Sequence, residues 1–207
     1  VFFFNYTSTT YIYTLSLHDA LPISSLEIRD TDTARTAIQA SITGHLVLSS
    51  FHANSTSTAF SRMIDMIGVN PIFSSAIRLV IAQRLVRRLV DATKEEYEPD
   101  EATRNYVKRV LAGIPADVEC PDLDTFKLWR PKPSNDAPFG YKGRIVIMEQ
   151  LIVTEEIQKY IRGDVEDVHP ESIEQTAKAE GMLTLEQVGV LAALRGETTL
   201  EEVARVI

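Results

Sequence analysis

Glu27, Arg29 and Asp30 stand in the string Glu-Ile-Arg-Asp, immediately before a segment with helical spacing. Acidic residues at the carboxyl end of a strand in an open α/β sheet face the ligand crevice. A carboxylate there can hold magnesium, directly or through water, or orient an attacking water. The competing reading is a solvated charged turn in which Asp30 caps a helix. A second cluster runs Thr43-Gly-His-Leu-Val-Leu-Ser-Ser-Phe-His-Ala-Asn54, with His45 and His52 bracketing an apolar strand and Ser49, Ser50 and Asn54 beside the second imidazole. An imidazole at that end can donate a hydrogen bond to a phosphate oxygen and so report whether a terminal phosphate is present. Seven residues of extended chain hold the two histidines roughly 23 Å apart, which disfavours a shared zinc ion. The competing reading is one partly buried histidine satisfied by the backbone and one surface histidine.

The elements that must position these groups follow a helix, buried strand, helix order, the grammar of an α/β domain. Asp30 or Thr31 caps a helix with Ala34, Ala37, Ile38 and Ile42 on one face, and Gly44 sits where a positive φ ends it. His45–Ser49 reads as a strand covered on both faces. Phe60, Met63, Ile64 and Ile67 mark a second helix that stops at Gly68. Asn70 and Pro71 open a third helix, predicted to reach Val90, with Ile77, Val80, Ile81, Leu85 and Leu89 as its apolar stripe and Arg84, Arg87 and Arg88 expected on a solvated face, an acidic neighbour or a nucleotide across a subunit boundary being the alternatives. Past an acidic stretch, Asp91–Asp100, a short helix carries Tyr106, Val107, Val110 and Leu111, and a proline-rich connection spans Ile114–Pro138. A turn at Gly140–Gly143 leads to a strand over Arg144–Val153, with Arg144 expected to pair with a nearby acid. Thr154 to Gly163 and Pro170 to Gly181 bound two further helices, and capping boxes at Thr184/Gln187 and Thr199/Glu202 open the last two. Trp129 is expected to be a packed loop aromatic.

Composition bounds the class. The chain has 207 residues, 44% of them hydrophobic, enough for a packed core in one domain or two small ones. With 21 Lys and Arg against 29 Asp and Glu, the net charge of −8 argues against nucleic acid as a partner. The single cysteine, Cys120, cannot close an internal disulfide, which points to a reducing compartment and an inert thiol. No apolar run approaches the roughly 20 residues that cross a bilayer. The aromatic and threonine-rich start, Val1–Ser24, lacks the basic opening of a secretory signal and reads by propensity as strand. Within it, Ser-Leu-His-Asp-Ala-Leu-Pro-Ile-Ser resembles a string produced when a sequencing adapter is translated. Val1–Ser24 is therefore expected to be non-native, with the true gene starting upstream; a native strand pair is the alternative.

Three ordered motifs carry a resemblance. Glu27–Ala34 (EIRDTDTA), Thr43–Asn54 (TGHLVLSSFHAN) and Ile81–Leu89 (IAQRLVRRL) together resemble the carboxyl-terminal half of the secretion ATPases, the hexameric motors of type II secretion and type IV pilus assembly. Gly140–Arg144 (GYKGR), Glu180–Gly189 and Gly196–Ile207 are similar to the distal part of the assembly and secretion branch rather than the retraction motors. The resemblance spans Leu26–Ile207. It implies a truncated RecA-like P-loop ATPase core, with a parallel-type sheet and helices, followed by a small, mostly helical module. The implied divisions are a non-native segment 1–24, the end of the ATPase core over 25–90, a linker and small α/β subdomain over 91–153, and a helical module over 154–207.

By the same resemblance, Glu27 matches the Walker B glutamate associated with magnesium, and Arg29 and Asp30 complete that motif. His45 and His52 match the family's His box, His52 being the contact to the γ-phosphate. The implied catalytic residues are Glu27 and His52, and the implied nucleotide-binding set is Glu27, Arg29, Asp30, His45 and His52, with ATP and Mg²⁺ as cofactors of the full-length parent. The implied partners are a homo-hexamer and an inner-membrane platform protein, with the motor cytoplasmic and peripheral to the membrane. Departures are equally informative. No Gly-x-x-x-x-Gly-Lys-Ser/Thr string occurs in these 207 residues, and Leu26 stands where the family has glycine, so the chain alone is expected to be inactive. The two Cys-x-x-Cys pairs of this branch are replaced by Val90 and Thr93, then Pro133 and Asp136, so no zinc is expected. A pilus retraction ATPase fragment is the alternative within the same fold, and a binding or scaffolding module without nucleotide is the rival from another class.

Overall fold

The computed structural model describes residues 23–24 and 27–207. Of the segment expected to be foreign, Ile23–Ser24 form strand β1, and the remainder lies outside the described residues. β1 pairs in parallel with β2, Val47–Leu48. Parallel pairing continues at an isolated bridge between Ile28 and Phe51. The chain divides into two compact units. One takes the described residues up to Ala82 together with Gln150–Met182; the other takes Gln83–Glu149 with Leu183–Ile207.

In the first unit, helix α1 (Thr31–Ile42) starts at Asp30, whose side chain accepts the Thr33 N–H at 2.8 Å. Helix α2 (Thr56–Ile67) is capped by Ser55 and buries Phe60, Met63, Ile64 and Ile67 at helical spacing. A 3₁₀ turn, Pro71–Phe73, follows. Helices α4 (Glu155–Arg162) and α5 (Pro170–Ala179) complete this unit, with α5 packed on α2 and α4. Leu151, Ile157, Ile161 and Ile173 share one apolar core with α2.

In the second unit, β4 (Glu95–Tyr97) pairs antiparallel with β5 (Leu128–Arg130), Glu96 opposite Trp129. Helix α3 (Glu101–Val110) packs on α6 (Leu185–Leu194), which in turn packs on β5 and on α7 (Leu200–Val206). Val107, Leu111, Phe126, Leu128, Val190 and Leu191 form the core here. A Cβ on Gly189 of α6 would lie 2.5 Å from Val203 Cγ1 of α7, so the two helices meet where one side chain is missing. Two long strands, β3 (Leu79–Leu89) and β6 (Tyr141–Ile152), pair with each other and each runs on from one unit into the other.

Several expectations are corrected. The third helix is not formed: Asn70 and Pro71 make one 3₁₀ turn, and Leu79–Leu89 is strand. The apolar letters of this segment fit a helical stripe as well as a strand, and pairing with β6 decides between them. Val86 accordingly takes the buried place, while Leu85 of the expected stripe is exposed. The arginines lie on a strand and are engaged: Arg84 Nε donates to the Val206 carbonyl, Arg87 binds Glu202 and Arg88 binds Asp91. β6 begins at Tyr141 rather than after a turn, with Gly143 inside it at φ +75°. Arg144 is exposed and makes no ion pair among the described residues. The strand expected over His45–Ser49 is the two half-buried residues of β2. At the last helix only the Thr199 half of the capping box forms, because Glu202 is held by arginines. The segment 154–207 contributes α4 and α5 to the first unit and α6 and α7 to the second.

Candidate functional site

Strand alternation builds the site. Ile28 and Phe51 are bridged partners, tied by the Ile28 N–H donating to the Ser50 carbonyl at 2.9 Å, and both point into the core at 4% and 6% exposure. Their neighbours must therefore face the other way. Glu27 and Arg29 from one segment, and His52 from the other, converge on that face. His52 Nε2 forms an ion pair with Glu27 Oε1, and Arg29 Nε donates to Glu27 Oε2 at 2.6 Å. The Glu27 side chain is mostly covered, at 21% exposure, while His52 and Arg29 are exposed at 85% and 73%.

The Arg29 hydrogen bond is the main reason the Glu27 carboxyl is held below its ordinary range, with the charges of Arg29 and His52 acting in the same direction against desolvation. Glu27 is thus a carboxylate at neutral pH. Its Oε1 is buried and faces the His52 Nε2, its ion-pair partner. Such an oxygen suits a hard cation, and magnesium is commonly held by one or two carboxylates with phosphates and water completing its shell. Among the described residues no group of three or more His, Cys, Asp or Glu side chains could hold a metal unaided.

The other sequence candidates lie apart from this pair. Asp30 is the N-cap of α1, and the Thr33 hydrogen bonds that make it so also lower its carboxyl. His45 follows α1, exposed, with Nδ1 3.2 Å from Thr43 Oγ1. The residue that spacing did not reveal is Arg62. From α2 its Nη1 donates to the His52 carbonyl at 2.6 Å, and its guanidinium lies 5.2 Å from the centre of the Phe51 ring. A lone arginine on the exposed side of an amphipathic helix carries no signal of this in the sequence.

The sequence pattern of the Type II/IV secretion system protein family matches residues 26–205, and the chain belongs to that family. It is 40% identical over 182 residues to the type II secretion system protein E of Xanthomonas campestris and 39% identical over 182 residues to the type IV pilus assembly ATPase PilB of Pseudomonas aeruginosa. Each match covers 87% of this chain and 30% of the relative, so the chain spans less than a third of the length of either. Among solved structures it is similar to the ATPase DotB of Yersinia pseudotuberculosis, with TM-score 0.55 and 15% identity over 95% of this chain and 39% of that one. The Legionella pneumophila DotB follows at TM-score 0.51 and 17% identity, covering 87% and 36%. The fold is α/β and similar to that of these ATPases. No helix among the described residues is long and apolar enough to cross a membrane.

Proposed function

We propose that residues 27–207 are the carboxyl-terminal part of a motor ATPase that powers type II secretion or type IV pilus assembly. In this reading the parent is a cytoplasmic homo-hexamer, held at the inner membrane through a platform protein, and the present chain is inactive alone because it carries no phosphate-cradling loop. The single observation that supports it best is the Glu27–His52 pair at the end of a parallel bridge, in a chain of this family.

Glu27 supplies a carboxylate to magnesium, directly or through water, and orients the attacking water. When bound, the magnesium of a magnesium–ATP complex neutralises phosphate charge. Arg29 keeps Glu27 ionised and aimed. His52 offers its Nε2–H to the terminal phosphate, and because one N–H serves one acceptor well, the phosphate and Glu27 compete for it. Loss of the terminal phosphate returns the imidazole to the carboxylate. By the family pattern, Asp30, through the helix it caps, and His45 belong to the same nucleotide-binding set, although they lie apart from the Glu27–His52 pair.

The test is a chimera in which residues 27–207 replace the matched stretch of the Pseudomonas aeruginosa pilus assembly ATPase. It is expected to hydrolyse ATP, with Glu27→Gln lowering kcat about 100-fold or more and His52→Ala about 10- to 100-fold. Unaltered hydrolysis in both variants would favour a scaffolding module.

A further inference from the structure

We propose that Arg62 is a positioning residue that fixes His52 against Glu27. His52 lies just past the bridged residue Phe51 and before the Ser55 cap of α2, where the strand pairing ends and the chain turns into the helix. Arg62 adds a side-chain hold at that point. Its Nη1 takes the His52 carbonyl at 2.6 Å, and the same guanidinium rests over the ring of Phe51 at 5.2 Å. Phe51 is buried and tethered to Ile28, so a side chain anchored on it is anchored to the strand that carries Glu27. The order of restraint runs from α2 through Arg62 to the His52 backbone, and from its imidazole to the Glu27 carboxylate. Without this clamp an imidazole 85% exposed is held, among the described residues, by the ionic contact of its tip with Glu27. A planar guanidinium can donate and stack at once, which an ammonium cannot do as well.

The inference rests on the nucleotide-facing reading of Glu27 and His52, and its test separates the two. In the 207-residue chain without nucleotide, the nuclear Overhauser contact between the His52 ring and the Glu27 side chain is expected to fall at least about fivefold in Arg62→Ala and to keep more than about half its intensity in Arg62→Lys, which still donates to the carbonyl. Should Arg62→Ala fail to fold, Arg62→Met, which keeps the apolar stem and loses the donor, is expected to show the same loss. In the chimera, Arg62→Ala is expected to lower kcat about tenfold with the KM for ATP within about twofold, the pattern of a misplaced transition-state contact. An undiminished contact in the Ala or Met variant, a Lys variant as deficient as Ala, or an unchanged kcat where Glu27→Gln does lower it would overturn the inference. A lost contact together with undiminished turnover in Glu27→Gln would instead sink the functional reading alone.

Discussion

Arg87 and Glu202, 115 positions apart in the chain, hold each other twice: the Arg87 backbone N–H donates to Glu202 Oε2 at 3.1 Å and its Nη2 donates to Oε1 at 2.5 Å. Arg205 adds two more donors, Nε to Oε1 at 3.2 Å and Nη2 to Oε2 at 3.0 Å, and the ring of Tyr141 lies 4.3 Å from the Arg87 guanidinium. The Glu202 side chain is 3% exposed, so this is a covered carboxylate with its lone pairs filled rather than a surface pair.

Arg87 is the main cause that brings the Glu202 carboxyl from 4.5 to about 2. A carboxyl lowered by folding adds stability above its ordinary value and gives it up as pH falls from about 4.5 through about 2. Glu202→Gln is therefore expected to cost about 2 kcal/mol at pH 7, with the gap to the parent chain closing over that acid window. Urea unfolding at pH 7, 4 and 2.5 measures it.

Gly189→Ala would normally gain about 1 kcal/mol in a helix. Here the new methyl would meet Val203 Cγ1 at 2.5 Å, so a net loss of about 1–3 kcal/mol is expected, recovered in part by adding Val203→Ala. Thermal melts of the two single variants and the double variant read the coupling.

Burial pushes the Cys120 thiol up, which lowers its thiolate fraction at neutral pH. Reaction with a disulfide reagent at pH 7.5 is expected to be at least about tenfold slower in the native chain than in guanidinium. Equal rates in the two states would count against the partial burial of Cys120 on the core of the second unit.

Arg29→Ala should let the Glu27 carboxyl climb back toward 4.5, since the Arg29 hydrogen bond is the largest influence lowering it. Carbon-13 titration of Glu27 follows the shift. A midpoint that stays where it was would assign the lowering to His52 instead.

The caps were the most legible part of the chain. Asp30, Thr154, Thr184 and Thr199 all begin helices because their side chains accept the backbone N–H three residues on, a purely local arrangement. α2 was legible for a similar reason: its apolar spacing is long and regular. β3 was not, because Leu-Val-Ile-Ala-Gln-Arg-Leu-Val-Arg-Arg-Leu satisfies helix and strand alike, and the deciding partner is more than 50 positions away. The site divides along the same line. Glu27 and His52 stand out by residue type and motif, and their meeting follows from a two-residue alternation about Ile28 and Phe51. Arg62 and Glu202 act through contacts to distant backbone, which residue type alone does not announce.

The path of the chain through its two units has a consequence for inheritance. It passes from the first to the second after Ala82, returns after Glu149 and leaves again after Met182. A single recombination between codons 83 and 149 would divide both units at once, so neither can be exchanged as a cassette, and variants of the two must travel together through descent.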